Sequence, residues 1–159
     1  GEHATTQLCC HELRQLRTQL SGRSVLDYGS GSGVLAFAAL LFGASCARGV
    51  EIDPNALRVS LANAAANKLS NSFEAMLPEE DEASAHTYAV VVANILAVTL
   101  VQLAPLLARR VEPGGTLLLS GIWGKEQADA VIVAYELNKF VHTCTNWQDG
   151  WALLSLSRK

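Results

Sequence analysis

The chain has 159 residues, half of them hydrophobic, with 12 Lys and Arg against 15 Asp and Glu and a formal net charge of −3. This length and apolar share suit a single domain, residues 1–159, with a sizeable core, and leave little room for a second. The pI is near 5.8 and the basic residues (Arg14, Arg17, Arg23, Arg48, Arg109, Arg110) are scattered, which argues against direct nucleic-acid binding and suits a basic protein partner.

Thr5 to Leu20 reads as a helix, with Cys9, Leu13, Leu16 and Leu20 on one apolar stripe and Ser21-Gly22 as its stop. Ser24 to Tyr28 is the first strand. It runs into Asp27-Tyr28-Gly29-Ser30-Gly31-Ser32-Gly33, three glycines at alternate positions behind an acid, and then into a helical run from Val34 to Leu41. Glycines this dense belong where the backbone bends sharply and a ligand comes close. The helix that follows offers its N-terminal amides to that ligand. Val34 to Leu41 is apolar all round and reads as buried, with Gly43 as its stop.

Ala47 to Ile52 is the second strand and Pro54 to Lys68 the second crossover helix, with Asp53 as its cap and Pro54 at its first position. A weak third strand spans Ser72 to Leu77. The acidic cluster Glu79-Glu80-Asp81-Glu82 follows and reads as a solvated loop, within a flexible stretch from Asn71 to His86. Tyr88 to Asn94 is nearly all Val and Ala, the pattern of a central parallel strand covered on both faces. Ala97 to Val111 reads as a helix in which Pro105 predicts a kink or a late start. Pro113-Gly114-Gly115 is a turn before a strand from Thr116 to Ile122. Ala128, Val131, Ile132 and Tyr135 mark one more helix. Phe140 to Asn146 and Trp151 to Leu156 form an antiparallel hairpin around Asp149-Gly150. Strand and helix alternate, so the sheet is mostly parallel, with helices on both faces.

The glycine turn departs from the dinucleotide fingerprint. That pattern places its third glycine five positions after the first, whereas Gly33 lies four after Gly29 and the fifth position is Val34. Asp27 beside the loop would repel a pyrophosphate and would welcome a cationic amino-acid end. S-adenosylmethionine, with an ammonium group, a sulfonium and no phosphate, fits both acids. Glu51 ends the second strand about twenty residues on, where a carboxylate commonly holds ribose hydroxyls. Asn94 ends a very apolar strand at the same edge of the sheet. It reads either as a side chain bonded to nearby backbone or as the group that faces the incoming nucleophile and accepts a hydrogen bond from an amine. Alone, Thr5 and Thr6 would read as helix caps.

The residues also carry a closer likeness. Gly1-Glu2-His3-Ala4-Thr5-Thr6 resembles a G-x-H-x-T-T segment and Ala93-Asn94-Ile95-Leu96 an A-N-I-L motif. Leu119-Ser120-Gly121-Ile122, Glu126-Gln127-Ala128 and the stretch from Trp147 to Trp151 follow in the same order. Together with the glycine turn, these resemble the ribosomal protein L11 methyltransferase family, class I enzymes dependent on S-adenosylmethionine. The resemblance implies a three-layer αβα Rossmann-like fold, its seven-stranded, mostly parallel sheet carrying one antiparallel strand from the C-terminal hairpin. It implies protein N-methyltransfer to lysine and N-terminal amines of a ribosomal protein in a cytoplasmic setting, or an organelle matrix if a targeting segment has been removed. It implies cofactor contacts from Thr6, Asp27, Gly29, Ser30, Gly31, Gly33, Glu51, Ile52, Asn94 and Ile95, with Asn94 as the catalytic residue.

The departures are Ser30 where the family usually has Cys, Glu51 where it usually has Asp, and no counterpart to its N-terminal recognition domain. Related glutamine and adenine amino-methyltransferases carry N-P-P followed by Tyr or Phe. The missing prolines and aromatic argue for a flexible aliphatic amine. A methyltransferase of the same fold acting elsewhere, or a cofactor-binding module inactive without a further domain, remain the other readings. Cys9, Cys10, Cys46 and Cys144 contain no C-x-x-C pair, so no metal site is read and the thiols are taken as reduced and mostly buried. No stretch is apolar and long enough to span a bilayer. Glu126 and Asp129 are weak candidates for a general base and equally suit a solvated helix face. His3 reads as disordered or solvent-exposed.

Overall fold

A computed structural model describes residues 2–159. Seven strands form one sheet in the order β3-β2-β1-β4-β5-β7-β6. They are β1 (Ser24–Tyr28), β2 (Cys46–Val50), β3 (Phe73–Met76), β4 (Tyr88–Asn94), β5 (Val111–Trp123), β6 (Phe140–Gln148) and β7 (Trp151–Arg158). β7 alone runs against its neighbours: it is antiparallel to both β5 and β6, and the remaining pairs are parallel. The helices are α1 (Ala4–Gln15), α2 (Arg17–Leu20), α3 (Val34–Leu41), α4 (Pro54–Ala66), α5 (Pro78–Ser84), α6 (Ala97–Arg110) and α7 (Gly124–Glu136). This is the mostly parallel αβα architecture expected from the alternation. The sheet is covered on one face by a core in which α6 and α7 meet β4, β5 and β7. On the other face α1, α3, Leu118 and Leu153 pack together. β4 lies between β1 and β5, and its residues Tyr88 to Ala93 are all buried, which is why that segment shows no alternation.

Several expectations are corrected. The single helix from Thr5 to Leu20 is two, broken at Leu16, although Cys9, Leu13 and Leu20 do face the core. α3 is not buried all round: Leu41 is 78% exposed and Val34 also meets solvent. With only eight residues, α3 covers the sheet with the side carrying Leu35, Ala36 and Ala39. α6 continues without interruption through Pro105. The hydrogen bond it forfeits would have gone to the Val101 carbonyl, and both residues lie on the solvent side, where water can replace it. Pro113-Gly114-Gly115 falls inside β5, which pairs Val111 with Tyr88 and resumes in shifted register at Thr116. Cys9 is buried and Cys10 partly so, but Cys46 and Cys144 are exposed.

The acidic cluster is the largest revision. Leu77 to Ser84 is not a solvated loop: Pro78 opens α5, and the Glu80 side chain accepts from the Leu77 backbone N–H at 2.7 Å. Asp81 is fully buried. Its Oδ2 receives the Arg110 Nε–H at 2.6 Å, and a second guanidinium nitrogen donates to the Asp81 carbonyl at 2.7 Å. The sequence signal, four consecutive acids, concealed that one of them turns inward.

Candidate active site

The carboxyl ends of β1, β2 and β4 meet at the glycine turn. Gly29, Gly31 and Gly33 all have positive φ, a left-handed conformation that costs other residues about 1–2 kcal/mol each. At Gly29 (φ +80°) a Cβ would also overlap the Ile95 Cγ2, so the β1 turn and the β4 loop can approach each other only without a side chain there. The turn sits on β2: the amides of Gly29 and Ser30 donate to the Val50 carbonyl at 2.8 and 3.0 Å. Gly49 makes room beneath, since a Cβ there would lie 2.7 Å from Ser30 Oγ. Sequence reading missed this glycine because it lies inside a strand. The Ser30 hydroxyl is buried and has no partner among the described residues.

Asp27 points inward from the end of β1. It is 1% exposed, and its Oδ2 accepts from the Ala36 N–H at 3.1 Å, in the first turn of α3. Burial lifts this carboxyl from its ordinary 3.8 to about 7. The Ala36 amide pulls the other way, and the charge of Glu51 adds to the rise. Asp27 therefore braces the glycine turn against α3 from below.

Glu51 is the acid at the lip. Its Oε2 accepts from Gly31 N–H at 2.9 Å, and its Oε1 accepts from the amides of Ile52 at 2.8 Å and Asp53 at 3.1 Å. The extra methylene relative to Asp lets the carboxylate span from the end of β2 to the glycine turn. Asp53 caps α4 through the Asn55 amide at 2.9 Å, as expected.

A cleft of about 550 Å³ opens in front of these groups. Tyr28, Glu51 and Ile52 line one side, Pro78 and Glu82 of α5 another, and Leu96 at the start of α6 a third. Its size and mainly apolar walls are those of a small-molecule site. Ile52 stands exposed at the rim, available to cover a flat apolar group, and Ile95 packs against Gly29.

Asn94 ends β4, next to the cleft residues Ile95 and Leu96. Its Nδ2 donates to Thr5 Oγ1 at 3.2 Å, and Thr5 Oγ1 lies 2.8 Å from His3 Nδ1. His3 Nδ1 also accepts from the Thr5 amide at 3.3 Å, which caps α1. A hydroxyl that accepts from Asn94 can give its own proton to His3, so the chain of donors is consistent throughout. It turns the Asn94 amide nitrogen toward Thr5 of α1. Thr5, which is buried, forms this link; Thr6 lies beside it, half-buried. His3 is exposed but held, with its ring 5.0 Å from that of Trp151. Gly1 lies outside the described residues. Glu126 and Asp129 are exposed on α7, where Asp129 pairs with Lys125 at 2.5 Å.

The family model described as ribosomal protein L11 methyltransferase (PrmA) matches residues 1–159. The chain belongs to the ribosomal protein L11 methyltransferase family. A member from Azotobacter vinelandii is 49% identical over 160 residues, covering 100% of this chain and 53% of the relative. One from Hahella chejuensis is 47% identical over 156 residues, covering 98% of this chain and 51% of the relative. The chain thus spans about half the length of these family members. The crystal structure of the ribosomal protein L11 methylase from Lactobacillus delbrueckii subsp. bulgaricus superposes with a TM-score of 0.83 at 28% identity, covering 100% of this chain and 81% of that one.

Proposed function

We propose that this chain is the methyl-transferring domain of a ribosomal protein L11 methyltransferase. In this reading it binds S-adenosylmethionine and passes the methyl group to lysine and N-terminal amines of that ribosomal protein. The reading is carried by the glycine turn and Glu51 meeting at one cleft at the carboxyl ends of β1 and β2, with Asn94 ending the neighbouring strand β4 just before the cleft residues Ile95 and Leu96, in a chain of this family.

The cleft fits the cofactor's parts. Glu51 can offer its remaining lone pairs to ribose hydroxyls, and the side chains of Ile52, Ile95 and Leu96 supply apolar cover for a purine. Gly31 meets nothing within 4 Å of a Cβ position, so the turn leaves open space where a backbone-hugging ligand would lie. Glu51, joined by Asp27 beneath the turn once that carboxyl ionises near pH 7, sets a negative field that favours a cationic ligand over a phosphate. Thr6 would border its amino-acid end.

When bound, the cofactor supplies an electrophilic methyl on a sulfonium, and the displacement breaks the sulfur–carbon bond as the nitrogen–carbon bond forms. The chain's own residues must align the amine and accept its hydrogen bond. A lysine ammonium must first lose a proton, at a cost of about 4–5 kcal/mol near neutral pH. A nearby sulfonium and loss of water both reduce that cost. Asn94 Oδ1, oriented by Thr5 and His3, would hold the neutral amine with its lone pair toward the methyl carbon; this is alignment rather than proton abstraction.

Transfer of labelled methyl from S-adenosylmethionine to purified ribosomal protein L11 tests the reading. Label on the amines of L11 is the expected result. Tight calorimetric binding of S-adenosylmethionine without transfer would reduce the chain to a cofactor-binding module. No binding at millimolar cofactor would remove the cofactor assignment altogether.

A further inference from the structure

The basic residues are scattered along the chain but not in space. Every parallel strand starts at one edge of the sheet and β7 ends there. Lys68 lies in the turn before β3, Arg23 directly precedes β1, and Arg109 lies at the end of α6 before β5. Lys139 directly precedes β6, and Lys159 follows β7. All are exposed. Their strands run from one rim of the seven-stranded sheet to the other, so the row of cations spans about 29 Å at about 4.8 Å per strand. Arg14 and Arg17 add to it where α1 gives way to α2. With Gln15 and Thr18 they line an open hollow of about 640 Å³.

Little neutralises this edge. Arg23 pairs with Glu112, but Arg14, Arg17, Lys68, Arg109, Lys139 and Lys159 have no ion pair among the described residues. Glu136, in the last turn of α7, is an exposed acid beside them. Other acids gather at the opposite edge: Glu51 and Asp53 after β2, Glu79 and Glu82 after β3, Glu126 after β5 and Asp149 after β6. β4 is seven residues long, which sets the two edges about 20 Å apart. Screening in physiological salt acts over about 8 Å. The basic edge therefore meets a ligand on its own terms, and the net charge of −3 does not describe it.

Two of these lysines occupy backbone that suits glycine. Lys68 has φ 60° and Lys139 φ 69°, both in the left-handed region. Each follows the end of a helix, α4 and α7, where glycine is the common residue. A cation that served only to offset the helix dipole could sit anywhere in the last turn without strain. Strain accepted at both positions points to a function for the side chains.

We propose that the amino-end edge of the sheet binds the phosphate backbone of double-stranded RNA. Cations spread over such a span cannot converge on a small anion, whereas a phosphodiester chain presents a charge at every nucleotide. No exposed Trp, Tyr or Phe stands at this edge among the described residues, since Trp123 and Trp147 lie toward the other one. Unstacked bases find no platform there, so a duplex is the better fit. Contacts to the backbone alone carry no sequence preference. The cofactor cleft lies at the opposite edge, and a bound duplex leaves it open to a protein acceptor. The inference goes beyond the methyltransfer reading and rests on it only for the nearness of RNA to a ribosomal-protein acceptor.

The test is fluorescence anisotropy of a labelled RNA duplex of about 20 base pairs, titrated with the full chain between about 50 and 200 mM KCl. The expected dissociation constant near physiological salt is about 10⁻⁴–10⁻⁶ M, with log affinity falling against log salt at a slope of about −3 or steeper. Lys139→Glu and Lys125→Glu change the net charge equally but at opposite edges. The first should weaken RNA binding about threefold or more, and the second should leave it as it is. Arg17→Glu with Arg109→Glu should weaken it about tenfold or more and flatten the salt slope, with S-adenosylmethionine affinity unchanged by calorimetry. Lys68→Gly with Lys139→Gly separates binding from a merely structural role: RNA affinity should fall while the melting temperature holds or rises. Polyglutamate, and vesicles of phosphatidylcholine and phosphatidylglycerol, are titrated as rival polyanions. A duplex bound no more tightly than either rival, an affinity indifferent to salt, or charge-reversed variants that bind RNA like the parent would overturn the proposal and leave the cofactor reading standing. Failure of the parent chain to bind S-adenosylmethionine would count against the cofactor reading alone.

Discussion

Replacing Arg110 by Met isolates the buried ion pair that fastens α5. Arg110 and Asp81 have side chains 6% and 0% exposed, and the guanidinium donates two bonds to Asp81, at 2.6 Å to its carboxylate and 2.7 Å to its carbonyl. Asp81 Oδ1 already lacks a partner among the described residues. Removing Arg110 therefore strands a buried carboxylate without a hydrogen-bond partner among the described residues, while the Asp81 backbone keeps its bonds to the Leu77 carbonyl and from Ser84 Oγ. Breaking such a pair from one side costs about 3–5 kcal/mol, whereas replacing both partners by apolar groups of similar size is often near neutral. Against a total stability of roughly 5–15 kcal/mol for a domain, the single change is severe. Urea denaturation of Arg110→Met, Asp81→Leu and the double variant measures the cycle. The expected outcome is a loss of about 3 kcal/mol or more for Arg110→Met and recovery of most of it in the double variant. Because α5 contributes Pro78 and Glu82 to the cleft, affinity for S-adenosylmethionine should fall in the single variant even at temperatures where it stays folded. A loss below about 1 kcal/mol, or a double variant no more stable than the single, would refute the argument.

Three further outcomes are open to direct measurement. Asp27 titrates near 7 in the folded protein, so between its unfolded value near 4 and pH 7 the folded state holds the extra proton and stability of the free protein should decline as pH rises, by up to about 1.4 kcal/mol per unit. A cationic ligand favours the ionised carboxyl, so S-adenosylmethionine affinity should climb with pH up to about 7 and then level; calorimetry in two buffers reads the released proton, and Asp27→Asn should flatten the profile. Gly29→Ala should lower Tm by roughly 5–10 °C and abolish measurable cofactor binding, because the left-handed φ and the overlap with Ile95 act together; a melt and a titration both matching the parent would refute this. Asn94→Ala should cut turnover by about a hundredfold with little change in cofactor affinity, and Thr5→Val should produce a smaller loss of the same kind; unchanged turnover in steady-state kinetics would remove Asn94 from the transfer step.

The glycine turn, Glu51 and Asn94 were legible in sequence because each stands at the carboxyl end of a strand, and the strands announce themselves by apolar runs. The sheet's composition was legible for the same reason, and the hairpin for its Asp149-Gly150 turn. What was not legible depends on partners distant in the chain. Asp81 and Arg110 are 29 residues apart, and neither four acids nor a helix end predicts that the two meet inside. Thr5 and Asn94 are 89 residues apart, so which of the two adjacent threonines turns inward follows only from how α1 lies on the sheet. Asp27 read as a carboxylate facing ligand, but its side chain turns under the loop, because the α3 amide above it is the nearest donor. The Pro105 helix shows the reverse limit: a local penalty was legible, and solvent access to one carbonyl makes it tolerable.

The placement of β7 has a bearing on how the molecule comes together. The last strand in the chain, Trp151–Arg158, is inserted between β5 and β6 rather than added at the rim. Until those eight residues arrive, β5 presents a bare edge with Leu117 and Leu119 uncovered, an invitation to intermolecular pairing. Clipping even a few residues from that strand should therefore yield an aggregating product rather than a slightly shorter domain.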